Sequence, residues 1–381
     1  MISCGEPSGD LYAGALATEI LRLDPSAAIV GLGGHHLRDA GASEIADFGG
    51  LSVTGLLEVL RLLPRTYATY RGLVQQAKTN RPDVFVAIDF PDFNFRLARA
   101  VRRLGVPVVY YISPQLWAWR RGRMKTMGQI ADRVLVIFPF EEPIYRQAGI
   151  PVQWVGHPLL DLARPPASRD RFLSELTLDP GRPVIALLPG SRHNELAAIL
   201  PDLVRAAALI RGRIADAQFI VARAPHLHDG SFAPLQDLPG AVVVEGRADD
   251  VLAVADVALV ASGTVTVQAA LHECPMVVVY RLSSLTYRLG KPFVHVDTYA
   301  MANLVAGRRV VPELIQDDFT PDRVAAEALR VLTDPSHAAS VRRELREVRG
   351  RLGTPGASRR AAEAVLEVAR AHPEPYRPVA P

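Results

Sequence analysis

Two carboxylates follow the apolar run Val84-Ile88 directly, in the segment Ile88-Asp89-Phe90-Pro91-Asp92-Phe93-Asn94. A carboxylate at the C-terminal end of a buried strand is partly desolvated, which makes it a better proton acceptor than one in open water. Asp89 is the candidate general base; Asp92 and Asn94 suit the start of the helix that follows, and Asp92 is assigned there. Gly5-Glu6-Pro7-Ser8-Gly9-Asp10 is a second turn of interest, with Glu6, Ser8 and Asp10 available to bond sugar hydroxyls. Helix capping by Ser8 or Asp10 is the other use of the same residues.

The second half of the chain carries two loops suited to anions. Leu187-Leu188-Pro189-Gly190-Ser191-Arg192 leads from an apolar run into a helix beginning near Asn194, so backbone N–H groups and the Arg192 fork together fit a diphosphate. A tight turn with a surface arginine fits as well. After Val257-Ala261 comes Ser262-Gly263-Thr264, whose small side chains let backbone approach an anion closely. Val265, Gln268, Ala269 and His272 then run at helical spacing. Two such loops point to a nucleoside diphosphate, against a plain buried turn. Tyr110-Tyr111-Ile112-Ser113-Pro114-Gln115-Leu116-Trp117-Ala118-Trp119-Arg120 offers either an aromatic shelf beside cations or core packing next to a basic helix start.

The elements that must position these residues alternate. Runs rich in Val and Ile at Ala28-Leu32, Val84-Ile88, Val106-Ile112, Val134-Phe138 and Val152-Val155 are separated by helical-period segments such as Phe93 to Leu104, the pattern of a parallel sheet wrapped by helices. A polar, proline-rich break at Arg164-Pro165-Pro166-Ala167-Ser168 is followed by a second series at Val184-Leu188, Phe219-Ala222, Val242-Glu245, Val257-Ala261 and Met276-Tyr280. The fold class expected is α/β, two doubly wound Rossmann-like domains facing a cleft. The expected boundaries are 1–164, 165–350 and a C-terminal helix and tail over 351–381 that packs back on the first domain, with Pro373 to Pro381 frayed.

Composition removes several function classes. In 381 residues, 43 basic side chains stand against 40 acidic ones, so no nucleic-acid-binding field is expected. Cys4 and Cys274 lie far apart, as suits a reducing cytosol. His35-His36 and His226/His228 lack a companion Cys or Glu at ligand spacing, and no DxD-type cluster stands out, so no metal and no cofactor are expected. No apolar run of spanning length exists. The GxGxxG fingerprint is missing, since Gly31-Leu32-Gly33-Gly34 gives only GxGG, and no Walker A lysine motif occurs, which excludes dehydrogenase and P-loop readings.

Taken together the motifs resemble the lipid-A-disaccharide synthase family of two-domain glycosyltransferases. The resemblance rests on GEPSGD at Gly5-Asp10, the Asp89-Asn94 run, SPQLWAWR at Ser113-Arg120, Pro139-Phe140-Glu141, VGHP at Val155-Pro158, LLPGSR at Leu187-Arg192, ASGT at Ala261-Thr264, PMVVVYR at Pro275-Arg281, NLVAG at Asn303-Gly307 and PELIQ at Pro312-Gln316. It implies a GT-B fold, and joining of UDP-2,3-diacylglucosamine to 2,3-diacylglucosamine 1-phosphate with release of UDP. It also implies Asp89 as catalytic aspartate and places Arg192 and Asn303 at the UDP site. Gln268 stands where the family commonly has a glutamate placed to accept bonds from a ribose diol. An amide carries no charge, so weaker nucleotide binding is expected. Only Met1-Cys4 precede the first motif, so the first strand is expected to be short or its start clipped. Another UDP-sugar transferase, a UDP-sugar 2-epimerase and a degenerate binding protein are the competing functions.

One further segment concerns location. Leu56, Leu57, Val59, Leu60, Leu62 and Leu63 occupy more of a helix circumference than one core-facing stripe needs, with Arg61, Arg65 and Arg71 nearby. The reading drawn is a peripheral contact with an anionic membrane surface, on the cytoplasmic face of the inner membrane. A helix buried on both sides, or a homodimer contact, competes for the same patch.

Overall fold

The computed structural model describes residues 1–48, 56–116, 122–166, 168–225, 227–282 and 298–372, without the side chains of 56–62. Trp117, Trp119, Arg120, His226 and the tail from Pro373 lie outside the described residues. The chain divides into two compact units, Met1–Leu162 with Leu352–Pro381, and Ala163–Arg351.

The first unit is built on seven parallel strands: β1 Ile2–Ser3, β2 Val30–Gly33, β3 Ser43–Asp47, β4 Phe85–Ile88, β5 Val108–Tyr111, β6 Arg133–Val136 and β7 Val152–Trp154. Their order is β3-β2-β1-β4-β5-β6-β7, with the chain reversing direction across the sheet after β3. Strands β4 and β5 are buried throughout, as a sheet covered on both faces requires. Short as it is, β1 lies inside the sheet, with Ile2 opposite Gly31 on one side and Val86 on the other. Its approach is close enough that a Cβ on Gly31 would lie 1.8 Å from the Ile2 carbonyl oxygen. Edge strand β3, Ser-Glu-Ile-Ala-Asp, has no apolar run to announce it and is absent from the sequence reading.

Tyr110 and Tyr111 are fully buried in β5, which corrects the aromatic shelf for these two residues: they are core. The Tyr110 ring packs on Phe95, 5.6 Å between centroids. Helix Pro91–Arg103 buries Phe93, Leu97 and Val101 along one face at helical spacing, and Phe95 beside it against Tyr110.

The helix Ala357–Ala371 completes this unit by packing on the helix Pro7–Leu23. Its start is held by Asp161, whose carboxylate accepts the N–H groups of Gly356 at 2.5 Å and Ser358 at 2.9 Å. Nearby, the His157 N–H bonds the Leu352 carbonyl at 3.0 Å, while its Nδ1 accepts the Leu159 N–H at 3.2 Å. The imidazole is enclosed by Tyr12 and Phe138.

The second unit repeats the plan with β8 Val184–Leu188, β9 Gln218–Arg223, β10 Val242–Glu245, β11 Val257–Ala261, β12 Met276–Tyr280 and β13 Glu313–Ile315. All are parallel, in the order β10-β9-β8-β11-β12-β13. Four of these match the apolar runs residue for residue; β13, three residues long, is too short to form such a run. Helices His193–Arg213 and Pro321–Thr333 bury Leu196, Leu200, Leu203, Val324 and Ala328 against the sheet.

Burial pushes the His157 imidazole down from 6.5 to about 3, so the folded protein holds it neutral. As pH falls below 6.5 the unfolded chain takes a proton that the folded one refuses, and stability drops by up to ~1.4 kcal/mol per pH unit until about 3. Urea midpoints measured between pH 7 and pH 5 should therefore fall less steeply for His157→Gln than for the parent chain. Equal slopes would remove His157 from the account.

Candidate active site

Asp89 is the first residue beyond β4, and with Phe90 it forms a left-handed pair at φ 44 and 47. Such backbone costs roughly 1–2 kcal/mol per residue and persists only where neighbours impose it. Here the neighbours are Asn94 and Tyr110. Asn94 is wholly buried, and its Nδ2 lies 3.1, 3.2 and 2.9 Å from the carbonyl oxygens of Ser3, Ile88 and Asp89. Its Oδ1 accepts the Ser3 hydroxyl at 2.7 Å. The Tyr110 hydroxyl donates to the Asp89 carbonyl at 2.8 Å, and burial raises its pKa far above the ordinary value, keeping it a donor. The Asp89 side chain is left half-buried at the strand end. Asp92 is exposed and pairs with Arg123 at 2.7 Å, a structural partnership. The N-terminal cap position of this helix is Phe90.

The turn at residues 5–10 lies against this one, since a Cβ on Gly5 would fall 2.2 Å from Phe90 Cδ1. Glu6 is the capping residue of the helix Pro7–Leu23, and both Glu6 and Ser8 are half-buried. Asp10 is only 1% exposed and caps a different helix, His35–Asp39, by accepting the N–H groups of Gly34, His36 and Leu37 at 2.7, 2.9 and 3.2 Å. The expectation of a sugar contact from Asp10 meets a carboxylate whose oxygens already serve the backbone. The fold also sets Asp10 beside His35 and His36, with donor atoms within 4.8 Å of one another, a grouping that chain spacing concealed.

In the second unit Arg192 stands at the N-cap position of the helix His193–Arg213 without a side-chain capping bond, and the first N–H groups of that helix point out of its end. Its Nη1 donates to Glu195 at 2.8 Å, so the guanidinium is held at the mouth of that helix. Glu195 also bonds the Tyr280 hydroxyl, whose pKa is raised by burial and then by Glu195. Gly190, at φ 122, leaves room for this carboxylate; a Cβ there would sit 2.9 Å from the Glu195 Cβ.

Ser262, Gly263 and Thr264 follow β11, and the space where a Gly263 side chain would stand is open. The Ser262 hydroxyl donates to the Tyr299 carbonyl at 3.4 Å. Tyr299 and Ala300 in turn give their N–H groups to Glu313, both at 2.9 Å. Asn303, buried at 1% exposure, holds that arrangement: Nδ2 donates to Glu313 and Val311, and Oδ1 accepts from Val310 and Val311. The polar atoms of Asn303, expected at the UDP site, are thus engaged within the protein. Gln268, half-buried, donates from Nε2 to Asp249 at 3.4 Å, and His272 Nε2 lies 2.8 Å from the other oxygen of Asp249. Asp249 and Glu195 carry no motif in the sequence, and Glu313 stands inside PELIQ without an assigned role; for Asp249 the signal is His272, one helical turn from Gln268.

The lipid-A-disaccharide synthetase family profile matches residues 1–368. Proteins named lipid-A-disaccharide synthase from Geobacter sulfurreducens and Syntrophus aciditrophicus are 48% and 41% identical over 370 residues, covering 97% and 96% of this chain and 96% of each relative. Among solved structures, a UDP-GlcNAc 2-epimerase from Neisseria meningitidis bound to UDP-GlcNAc is similar at TM-score 0.66 and 14% identity, covering 96% of this chain and 98% of that one. A calicheamicin glycosyltransferase is similar at TM-score 0.60 and 18% identity, covering 98% of both. These likenesses make the two Rossmann-like units a GT-B type α/β fold. Matched along nearly all its length by profile and relatives alike, the chain belongs to the lipid-A-disaccharide synthetase family.

Proposed function

We infer that the chain is an inverting glycosyltransferase of lipid A biosynthesis, joining UDP-2,3-diacylglucosamine to 2,3-diacylglucosamine 1-phosphate with release of UDP. The family match over residues 1–368 carries the reading. Resemblance to 2-epimerases, at 14% and 12% identity, is a resemblance of fold and brings no reaction with it. In the reaction, the acceptor 6-hydroxyl gives its proton to the Asp89 carboxylate as its oxygen bonds the donor anomeric carbon. The bond from that carbon to the UDP oxygen breaks on the opposite face. A single displacement needs one base. The leaving diphosphate is met by the N–H groups that open the helix His193–Arg213 and by Arg192, with the backbone at Ser262, Gly263 and Thr264 as a second cradle. Glu6 and Ser8, half-buried beside the Asp89 turn, are assigned to acceptor hydroxyls, while Asp10 positions the start of the helix His35–Asp39 in the first unit and Asn303 the segment 299–313 in the second.

Both substrates carry two acyl chains and reside in a bilayer, so the enzyme works at a membrane surface. Among the described residues no helix is long and apolar enough to cross a membrane. A peripheral contact through the helix Leu56–Thr79, on the cytoplasmic face of the inner membrane, is supported by Leu63 and Tyr67, 49% and 61% exposed, and by the exposed Arg65 and Arg71. Residues 49–55, which precede that helix, lie outside the described residues. Pairing of two copies through the same face is the competing arrangement.

Purified protein incubated with both acylated sugars should yield UDP and the disaccharide together; a C2-epimerised UDP-sugar, or binding without turnover, would overturn the assignment. Asp89→Asn should keep UDP binding and lower turnover about 10²–10⁴-fold, because an amide cannot take the proton. Near-normal turnover would exclude Asp89 as base. Arg192→Ala should weaken UDP by roughly 1.5–3 kcal/mol, the value of a charge-assisted bond, and calorimetry showing unchanged affinity would exclude the clamp. Replacing Leu57, Leu60 and Leu63 together by Ser should reduce co-sedimentation with anionic vesicles while UDP binding persists. Unfolding of that variant, or undiminished sedimentation, would assign the segment to the core.

A further inference from the structure

The side chain of Gln268 is held by a charged group that the reaction as described does not use. Its Nε2 donates to Asp249 Oδ2 at 3.4 Å, and Asp249 Oδ1 lies 2.8 Å from Nε2 of His272, whose side chain is only 6% exposed. Gln268 and His272 are four residues apart and share a helix face, so both reach the same carboxylate, which comes from the separate helix Ala248–Val254. An ionised carboxylate only accepts hydrogen bonds. Gln268 must therefore present its NH₂ to Asp249, and its carbonyl Oε1 is turned the other way.

We propose that Asp249 is a positioning residue for nucleotide recognition: it fixes the Gln268 amide so that Oε1 accepts from the ribose diol, favouring a ribonucleotide over its 2′-deoxy counterpart. The proposal rests on the reading of residues 262–268 as part of the nucleotide subsite. Gln268 is four residues past Thr264, about one helical turn of 5.4 Å. In a nucleoside diphosphate the ribose follows the inner phosphate directly, so a group at that remove from a phosphate loop meets the sugar hydroxyls. An unanchored amide offers a donor or an acceptor with nearly equal ease; anchored through its NH₂, it turns the acceptor outward.

The same geometry reverses the expectation drawn from the missing glutamate. A carboxylate at position 268 would stand within hydrogen-bond distance of Asp249 and repel it. Gln268 is the residue that a charged Asp249 requires, with the negative charge placed behind the amide. Weaker nucleotide binding does not follow from the substitution.

The test is calorimetric titration of the full chain with UDP and with 2′-deoxy-UDP. The parent should prefer UDP. Asp249→Ala should weaken UDP by roughly fivefold to tenfold, the worth of one hydrogen bond, with 2′-deoxy-UDP nearly unchanged. Gln268→Glu should weaken UDP, and Asp249→Asn added to it should restore the affinity, an arm that stands even where the alanine variant does not fold. Equal losses for both nucleotides in Asp249→Ala, no preference in the parent, or tighter UDP binding by Gln268→Glu alone would overturn the proposal. A parent that binds neither nucleotide would overturn the subsite reading itself, and this proposal with it.

Discussion

One buried amide governs the first unit. Asn94 bonds the carbonyls at which β1 and β4 end and that of Asp89, the residue where the chain leaves the sheet. Strand ends leave carbonyls unpaired, and burying them alone costs about 1–3 kcal/mol each. A side chain with two donor hydrogens near three such groups, with its own oxygen satisfied by Ser3, resolves that problem at one point. The consequence reaches chemistry: with the Asp89 carbonyl fixed by Asn94 and Tyr110, a left-handed backbone is held at two non-glycine residues, and the strain falls at the proposed base.

In the second unit the organising groups are acids placed behind donors and turns. Glu195 sits behind Arg192, Glu313 behind the Tyr299–Ala300 turn, and Asp249 behind Gln268. An anionic ligand is held best by N–H groups and guanidinium, and each needs a fixed direction to be worth more than solvent water. Carboxylates bonded to those donors supply the direction. For a diphosphate subsite this also limits repulsion, because their charge is already directed at donors of the protein.

Much of this architecture is legible in the sequence, for a definite reason. Strands covered on both faces must be apolar throughout, so β8, β11 and β12 appear as runs with unambiguous ends, while the edge strand β10 is legible only because its residues are Val-Val-Val-Glu. The loops after β8 and β11 are legible through their small residues and position. What is hidden is pairing over distance. Edge strands β3 and β13 have polar faces that no periodicity marks. Asp10 looks like a cap for its own helix and caps another that starts at His35. Asp249 precedes Gln268 by nineteen positions, and nothing in either local pattern says that they meet. Asn303 matches a family motif, yet only the fold reveals that its polar atoms are spent on Val310, Val311 and Glu313.

The turns at residues 5–10 and 88–94 are distant in sequence but form one physical unit. Phe90, left-handed because Asp89 must turn there, lays its ring where any side chain on Gly5 would stand, and stacks on Phe93 at 5.4 Å. Ser3, two residues before Gly5, bonds Asn94. The backbone that carries Glu6 and Ser8 is thereby tied to the backbone that carries Asp89. A change at Gly5 would displace the Phe90 ring, and with it the backbone of Asp89. The requirement for glycine at that position thus belongs to the proposed base as much as to the helix that begins at Pro7.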